Sequence, residues 1–125
     1  MIHQRPPFRI FLADDDDDDR KIFAEALNEL PLNCEVINFT DGIHLMAQLM
    51  IKSTVLPEII FLDINMPLMD GQTCLKKIME IEKLVAIPVV IYSTSLRKRE
   101  VAVFEKMGAA RYLKKPTSFN QLKTL

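Results

Sequence analysis

"FRIFLADDDDDDRKIF", residues 8–23, holds the reading of the fold. A short, mostly apolar run ends in six consecutive aspartates, and apolar residues at helical spacing follow at once. The run at 8–13 has strand length. Residues 19–30, "DRKIFAEALNEL", put Ile22, Phe23, Ala26, Leu27 and Leu30 on one helical face, and Pro31 stops the helix. Like charges in a run are ordinarily a solvated acidic loop. Here the run stands where a strand hands over to a helix, so the neighbouring segments decide its meaning.

Working outward, the same alternation repeats. "CEVINF" (34–39) reads as a second strand, and "DGIHLMAQLMI" (41–51) as a helix capped by Asp41. "EIIFLD" (58–63) is almost continuously apolar, as in a strand covered on both faces. "DGQTCLKKIMEIEKL" (70–84) is helical and "IPVVIYS" (87–93) a strand rich in β-branched residues. "RKREVAVFEKMG" (97–108) closes on Gly108 as a C-cap, "ARYLKK" (110–115) is a fifth strand, and "TSFNQLKTL" (117–125) opens a fifth helix. The short fifth helix reads as truncated. Five alternations predict one α/β domain over residues 1–125, a parallel sheet with helices on both faces.

Composition agrees. The chain has 125 residues, 49% hydrophobic and 26% charged, enough for one globular core. No apolar run has the length of a membrane span or signal peptide, and a cytoplasmic location is expected. Cys34 and Cys74 are too few for a disulfide scaffold or zinc site and read as small buried hydrophobes. His3 and His44 lack metal-ligand spacing, and Met46, Met66, Met69 and Met79 read as packing or loop residues. Residues 1–75 hold 5 basic against 13 acidic side chains, and residues 76–125 hold 11 against 4. That is no nucleic-acid footprint, because the basic residues are not interleaved with aromatics. It predicts that acidic and basic groups from the two halves meet in space.

In an open parallel sheet, ligands bind beyond the carboxyl ends of the strands. The first strand delivers Asp14 and Asp15 there, and the third delivers Asp63. The fourth delivers Ser93 and Thr94, and the fifth Lys115 just before Pro116. Carboxylates so placed repel unless a cation sits among them, and an all-oxygen site shared with phosphate suits Mg²⁺. A carboxylate is also a competent nucleophile towards phosphorus, with a hydroxyl and an ammonium to receive the phosphoryl oxygens.

Through "FLADD", "IIFLDINMPLMDG", "VVIYSTS" and "YLKKP", the chain resembles the receiver domains of two-component response regulators over essentially its whole length. The resemblance implies a doubly wound, flavodoxin-like fold with strand order 2-1-3-4-5. It implies Asp63 as phosphoacceptor, and a Mg²⁺ site of Asp63, Asp15, Asp14 through water and the Asn65 backbone carbonyl. Ser93, with Thr94 beside it, would bind the phosphoryl group, Lys115 would pair with it, and a cis Lys115–Pro116 bond would aim the lysine inward. Gly71 fits a tight turn into the third helix. Tyr112 would turn inward on phosphorylation. Implied partners are a sensor histidine kinase or phosphotransfer protein, met near Phe23 and the first helix, and a downstream effector. The effector would bind the face of helix four, strand five and helix five, where Arg97, Lys98, Arg99, Val101, Phe104 and Glu105 are candidates. A dimer formed on phosphorylation is compatible with this, direct contact with nucleic acid or membrane is not expected, and the domain is a signalling phosphoacceptor, not an enzyme. Phe23 itself is expected to pack in the core, and a half-buried edge-strand tyrosine is the competing expectation for Tyr112.

Two other chemistries fit parts of the acidic run. Asp14-x-Asp16 resembles the nucleophile motif of haloacid-dehalogenase-type phosphatases, but Asp18 stands where Thr or Val is needed and Asp63 and Lys115 go unexplained. Asp14, Asp16, Asp18 and Glu25 match the acidic positions of a calcium loop, but Asp19 replaces its glycine. A receiver-like interaction module that never takes phosphate is the third alternative. The residues kept for chemistry give it no support, and they leave Asp16 to Asp19 as helix caps or surface charge.

Overall fold

A computed structural model describes residues 7–94 and 97–115. Its strands are β1 (Phe8–Ala13), β2 (Cys34–Phe39), β3 (Ile59–Leu62), β4 (Val89–Ser93) and β5 (Arg111–Lys114). Its helices are α1 (Asp17–Asn28), α2 (Gly42–Met50), α3 (Gly71–Glu80) and α4 (Lys98–Met107). The strands form one parallel sheet in the order β2-β1-β3-β4-β5, the order that the family resemblance implies. Pro116 and the expected fifth helix lie outside the described residues.

Strand side chains alternate between two cores, as the period of two requires. Phe11, Ala13, Ile60, Leu62, Val89 and Ile91 meet Leu45 and Leu49 of α2, Leu75 and Ile78 of α3, and Phe104 of α4. On the opposite face Ile10, Leu12 and Tyr92 meet Phe23 and Ala26 of α1. There Phe23, Phe61 and Tyr92 pack edge to face in a triangle, with ring centroids 4.9–6.0 Å apart. The central strands are covered on both sides, which is why β3 and β4 read as continuous apolar runs.

Aspartate starts three of the helices. Asp16, Asp41 and Asp70 each accept a hydrogen bond from the backbone N–H three residues on, satisfying a donor the helix leaves free. Gly108 ends α4 with φ 103°, a conformation in which a Cβ would also lie 2.6 Å from the Met79 Cε.

Some expectations are corrected and others hold. The third helix stops at Glu80, because Ile81 turns extended and the chain folds back to bury Leu84 completely. Phe104, a candidate for the output face, points into the core beneath α4 and is 3% exposed. The helix turns its Phe104 stripe inward, leaving Arg97, Lys98, Arg99 and Glu105 exposed and Val101 half-buried. Phe23 is core. Cys74 is fully buried but Cys34 only partly, since it opens the edge strand β2. His44 lies on the surface with Nδ1 2.6 Å from the capping Asp41 carboxylate. Met46 and Met66 are buried, and Met69 and Met79 pack against the same core. Among the described residues no helix is long and apolar enough to cross a membrane.

Candidate functional site

The backbone places the site before any side chain does. After β1, β3 and β5 the ladder carries one further bond past the last paired residue. Asp14 N–H donates to Phe39 O at 2.9 Å, Asp63 N–H to Ala13 O at 2.9 Å, and Lys115 N–H to Ser93 O at 2.6 Å. The residues that follow β1, β3 and β5 are thereby pinned at one sheet edge, with Ser93 ending β4 between them. Asp14, Asp63, Ser93 and Lys115 are all buried, and Asp15 is exposed beside them.

One carboxylate oxygen each from Asp14, Asp15 and Asp63 lie within 4.8 Å of one another. The Lys115 ammonium sits among the acids, 2.8 Å from Asp14 Oδ2, 3.0 Å from Asp19 Oδ2 and 3.1 Å from Asp63 Oδ2. It donates hydrogen bonds to Asp19 and Asp63. The contact with Asp14 is a close ion pair without hydrogen-bond geometry, so Asp14 Oδ2 is buried and otherwise unsatisfied. Nζ also lies 5.6 Å from the Tyr92 ring centroid, over a face that favours a cation.

Burial pushes Asp63 up to about 6, and the Asp14 carboxylate adds to the rise, while Lys115 opposes it. Burial raises Asp14 too, against the pull of Lys115. For Lys115 burial works towards a lower value, but the Asp14, Asp19 and Asp63 carboxylates outweigh it and hold the ammonium above its ordinary range. One ammonium against three carboxylates, with Asp15 beside them, leaves excess negative charge. The donor set is all oxygen, and apart from its ion pair with Lys115 the buried Asp14 Oδ2 has no hydrogen bond, so the residues fit a hard divalent cation such as Mg²⁺.

The loop after Asp63 is tight. Asn65 N–H makes a long contact of 3.4 Å with Asp63 Oδ1, and Asn65 is exposed. Leu68 takes φ 67°. Gly71 N–H returns to Ile64 O at 2.8 Å, and a Cβ there would lie 2.2 Å from the Asp63 carbonyl oxygen. Gly71 is thus required by close approach to the Asp63 backbone, not by a positive φ. Thr94 is exposed next to buried Ser93. Tyr112 is half-buried on the α4 side of the sheet, its pKa raised by burial and by Glu105.

Sequence reasoning missed two residues here. By sequence Asp19 reads as a cap or surface charge, yet it reaches Lys115. Arg20 donates to the Asp14 carbonyl at 2.8 Å and to Asp17 at 2.9 Å. The signal for both was the start of α1, whose first turn lies against the end of β1. Asp16 caps that helix after a strand, which is not the setting of a calcium loop.

The family profile described as the response regulator receiver domain matches residues 10–125. The response regulator Rcp1 of Synechocystis sp. is 31% identical over 121 residues, covering 94% of this chain and 82% of its own. A Leptospira interrogans protein-glutamate methylesterase/protein-glutamine glutaminase is 40% identical over 111 residues, and this chain spans only 30% of that relative's length. The Mn²⁺-bound form of Rcp1 superposes with a TM-score of 0.87 at 28% identity, covering 94% of this chain and 91% of that one. The phosphorylated cyanobacterial phytochrome response regulator RcpA superposes with a TM-score of 0.86 at 30% identity, covering 95% and 88%. A haloacid-dehalogenase-type phosphatase is not favoured by these likenesses. With the profile spanning nearly all of it, the chain belongs to the response regulator receiver domain family of two-component signalling.

Proposed function

We propose that this receiver takes a phosphoryl group onto Asp63. The observation that carries this reading is the convergence of Asp63 with Asp14, Asp15 and the buried Lys115 ammonium. An Asp63 carboxylate oxygen attacks phosphorus, and the bond from phosphorus to the donor breaks. The electron pair stays on the donor, a histidine ring nitrogen of a sensor kinase or phosphotransfer protein. Asp14, Asp15, Asp63 and the Asn65 backbone carbonyl would hold Mg²⁺, which when bound offsets negative charge on the phosphoryl oxygens. Lys115 pairs with a phosphoryl oxygen and Ser93 donates its hydroxyl, with Thr94 at the exposed rim. A cis Lys115–Pro116 bond belongs to the same reading.

The output is a change of surface. Ser93 drawn towards the phosphoryl group would free space into which Tyr112, half-buried between β5 and α4, turns. The effector then docks on α4, β5 and the chain beyond, with Arg97, Lys98, Arg99, Val101 and Glu105 on that face, and a phosphorylation-dependent dimer would use it too. Residues near the start of α1 would meet the kinase. The domain, residues 1–125, acts in the cytoplasm and turns over no separate substrate. The Mn²⁺-bound Rcp1 and phosphorylated RcpA structures support the cation and the phosphoryl group by likeness.

Intact mass after incubation with acetyl phosphate tests this, with and without Mg²⁺ and with Asp63→Asn alongside. The expected result is a Mg²⁺-dependent, base-labile gain of one phosphoryl group in the native protein and none in the mutant. A phosphorylated Asp63→Asn protein would overturn the assignment of Asp63.

A further inference from the structure

The six aspartates divide by contact. Asp14 and Asp15 join Asp63 in the acidic cluster, and Asp16 caps α1. Asp17 pairs with Arg20 at 2.9 Å and Lys21 at 3.3 Å, and Asp18 is exposed. Asp19 does something else. Its carboxylate leaves the helix surface to bind Lys115 at 3.0 Å, and its side chain is 22% exposed. Its backbone N–H is held by the Asp16 cap at 3.0 Å, so the position of that carboxylate is set by the helix start. It is not one of the three carboxylates that converge on a common point.

An ammonium has three donors. Without Asp19, Lys115 would turn its whole charge on Asp14 and Asp63, the two buried acids that the cation also needs. We propose that Asp19 is a positioning residue that draws Lys115 towards α1 and so keeps those carboxylates available to Mg²⁺. The proposal rests on the reading of the acidic cluster as a Mg²⁺ site. It gives one of the extra aspartates a task that neither capping nor surface charge explains.

The test is Mg²⁺ affinity by titration calorimetry on the full chain with no phosphoryl donor present. Asp19→Asn is compared with Asp18→Asn, which removes the same charge one residue away without touching Lys115. Asp19→Asn is expected to weaken Mg²⁺ binding about threefold more than Asp18→Asn, the scale of a partly exposed ion pair. In a Lys115→Met background that difference is expected to vanish, because the effect passes through the ammonium. Circular dichroism checks the fold, and Asp19→Ser serves as a second variant with the same expected outcome.

Equal losses in Asp19→Asn and Asp18→Asn would overturn the proposal, as would a difference that survives without Lys115. Native protein that binds no Mg²⁺ would instead bring down the cation reading on which the proposal rests.

Discussion

Cys74 shows how far one side chain can be removed from its solution chemistry. It is fully buried under α3, with Sγ 3.8 Å from the Gly42 carbonyl, and burial pushes its thiol up to about 12. A thiol-specific reagent at pH 8 is therefore expected to label half-buried Cys34 first and to reach Cys74 only on unfolding. The pH dependence follows with a definite sign. The folded value stands above the unfolded one of about 9, so the stability associated with the protonated thiol is complete below pH 9 and is lost as pH rises towards 12. By pH 10 the native protein is expected to lose about 1 kcal/mol relative to Cys74→Ala, read as the difference in urea midpoints. A flat difference between pH 8 and pH 10 would contradict the burial argument. Asp19 belongs to the same scale: its neighbours Asp16, Asp17 and Asp18 have the same chemistry, and only contact separates them.

At the scale of elements, α1 is held by its first turn. Asp16 accepts the Asp19 N–H, acidic residues fill the first turn where the helix dipole favours them, and Arg20 ties the turn to the end of β1. Asp16→Ala is expected to cost about 1 kcal/mol, while exposed Asp18→Ala should stay within about 0.5 kcal/mol. Urea denaturation monitored by circular dichroism separates the two. Because Asp16 holds Asp19, the cap also serves the site, and losing it should loosen the Asp19–Lys115 pair. The strands were legible because buried parallel strands leave an unambiguous apolar run, and β1 and β2 have the bounds expected of them. Helix ends were less legible. The "MEIEKL" stretch keeps helical spacing past Glu80, but burying Leu84 against the core outweighs continuing the helix. Phe104 likewise reads as surface in a charged helix until the sheet beneath it is in place.

For the whole molecule, the site sets like charges against a buried core. Several carboxylates crowd one ammonium where β1, β3 and β5 end, and a cation that binds only the folded state stabilises it by mass action. Mg²⁺ at a hundred times its dissociation constant is expected to add about 2.7 kcal/mol to the unfolding free energy. Urea midpoints in Mg²⁺ and in EDTA measure this, and Asp14→Asn should abolish most of the difference. An equal midpoint shift in the mutant would mean that the cation binds elsewhere.

The strand order came with the family resemblance, but alternation of apolar runs with amphipathic stretches was sufficient in the sequence to predict a parallel sheet with helices on both faces, since a parallel strand and its crossover helix each carry their own periodicity. It also brought Asp14, Asp63, Ser93 and Lys115 to one edge, because a parallel sheet collects the carboxyl ends of all its strands together. The division of labour within the aspartate run was decided only by the tertiary structure. Six identical residues offer no local contrast, and what distinguishes Asp19 from Asp18 is an ammonium that arrives from 96 residues further along the chain.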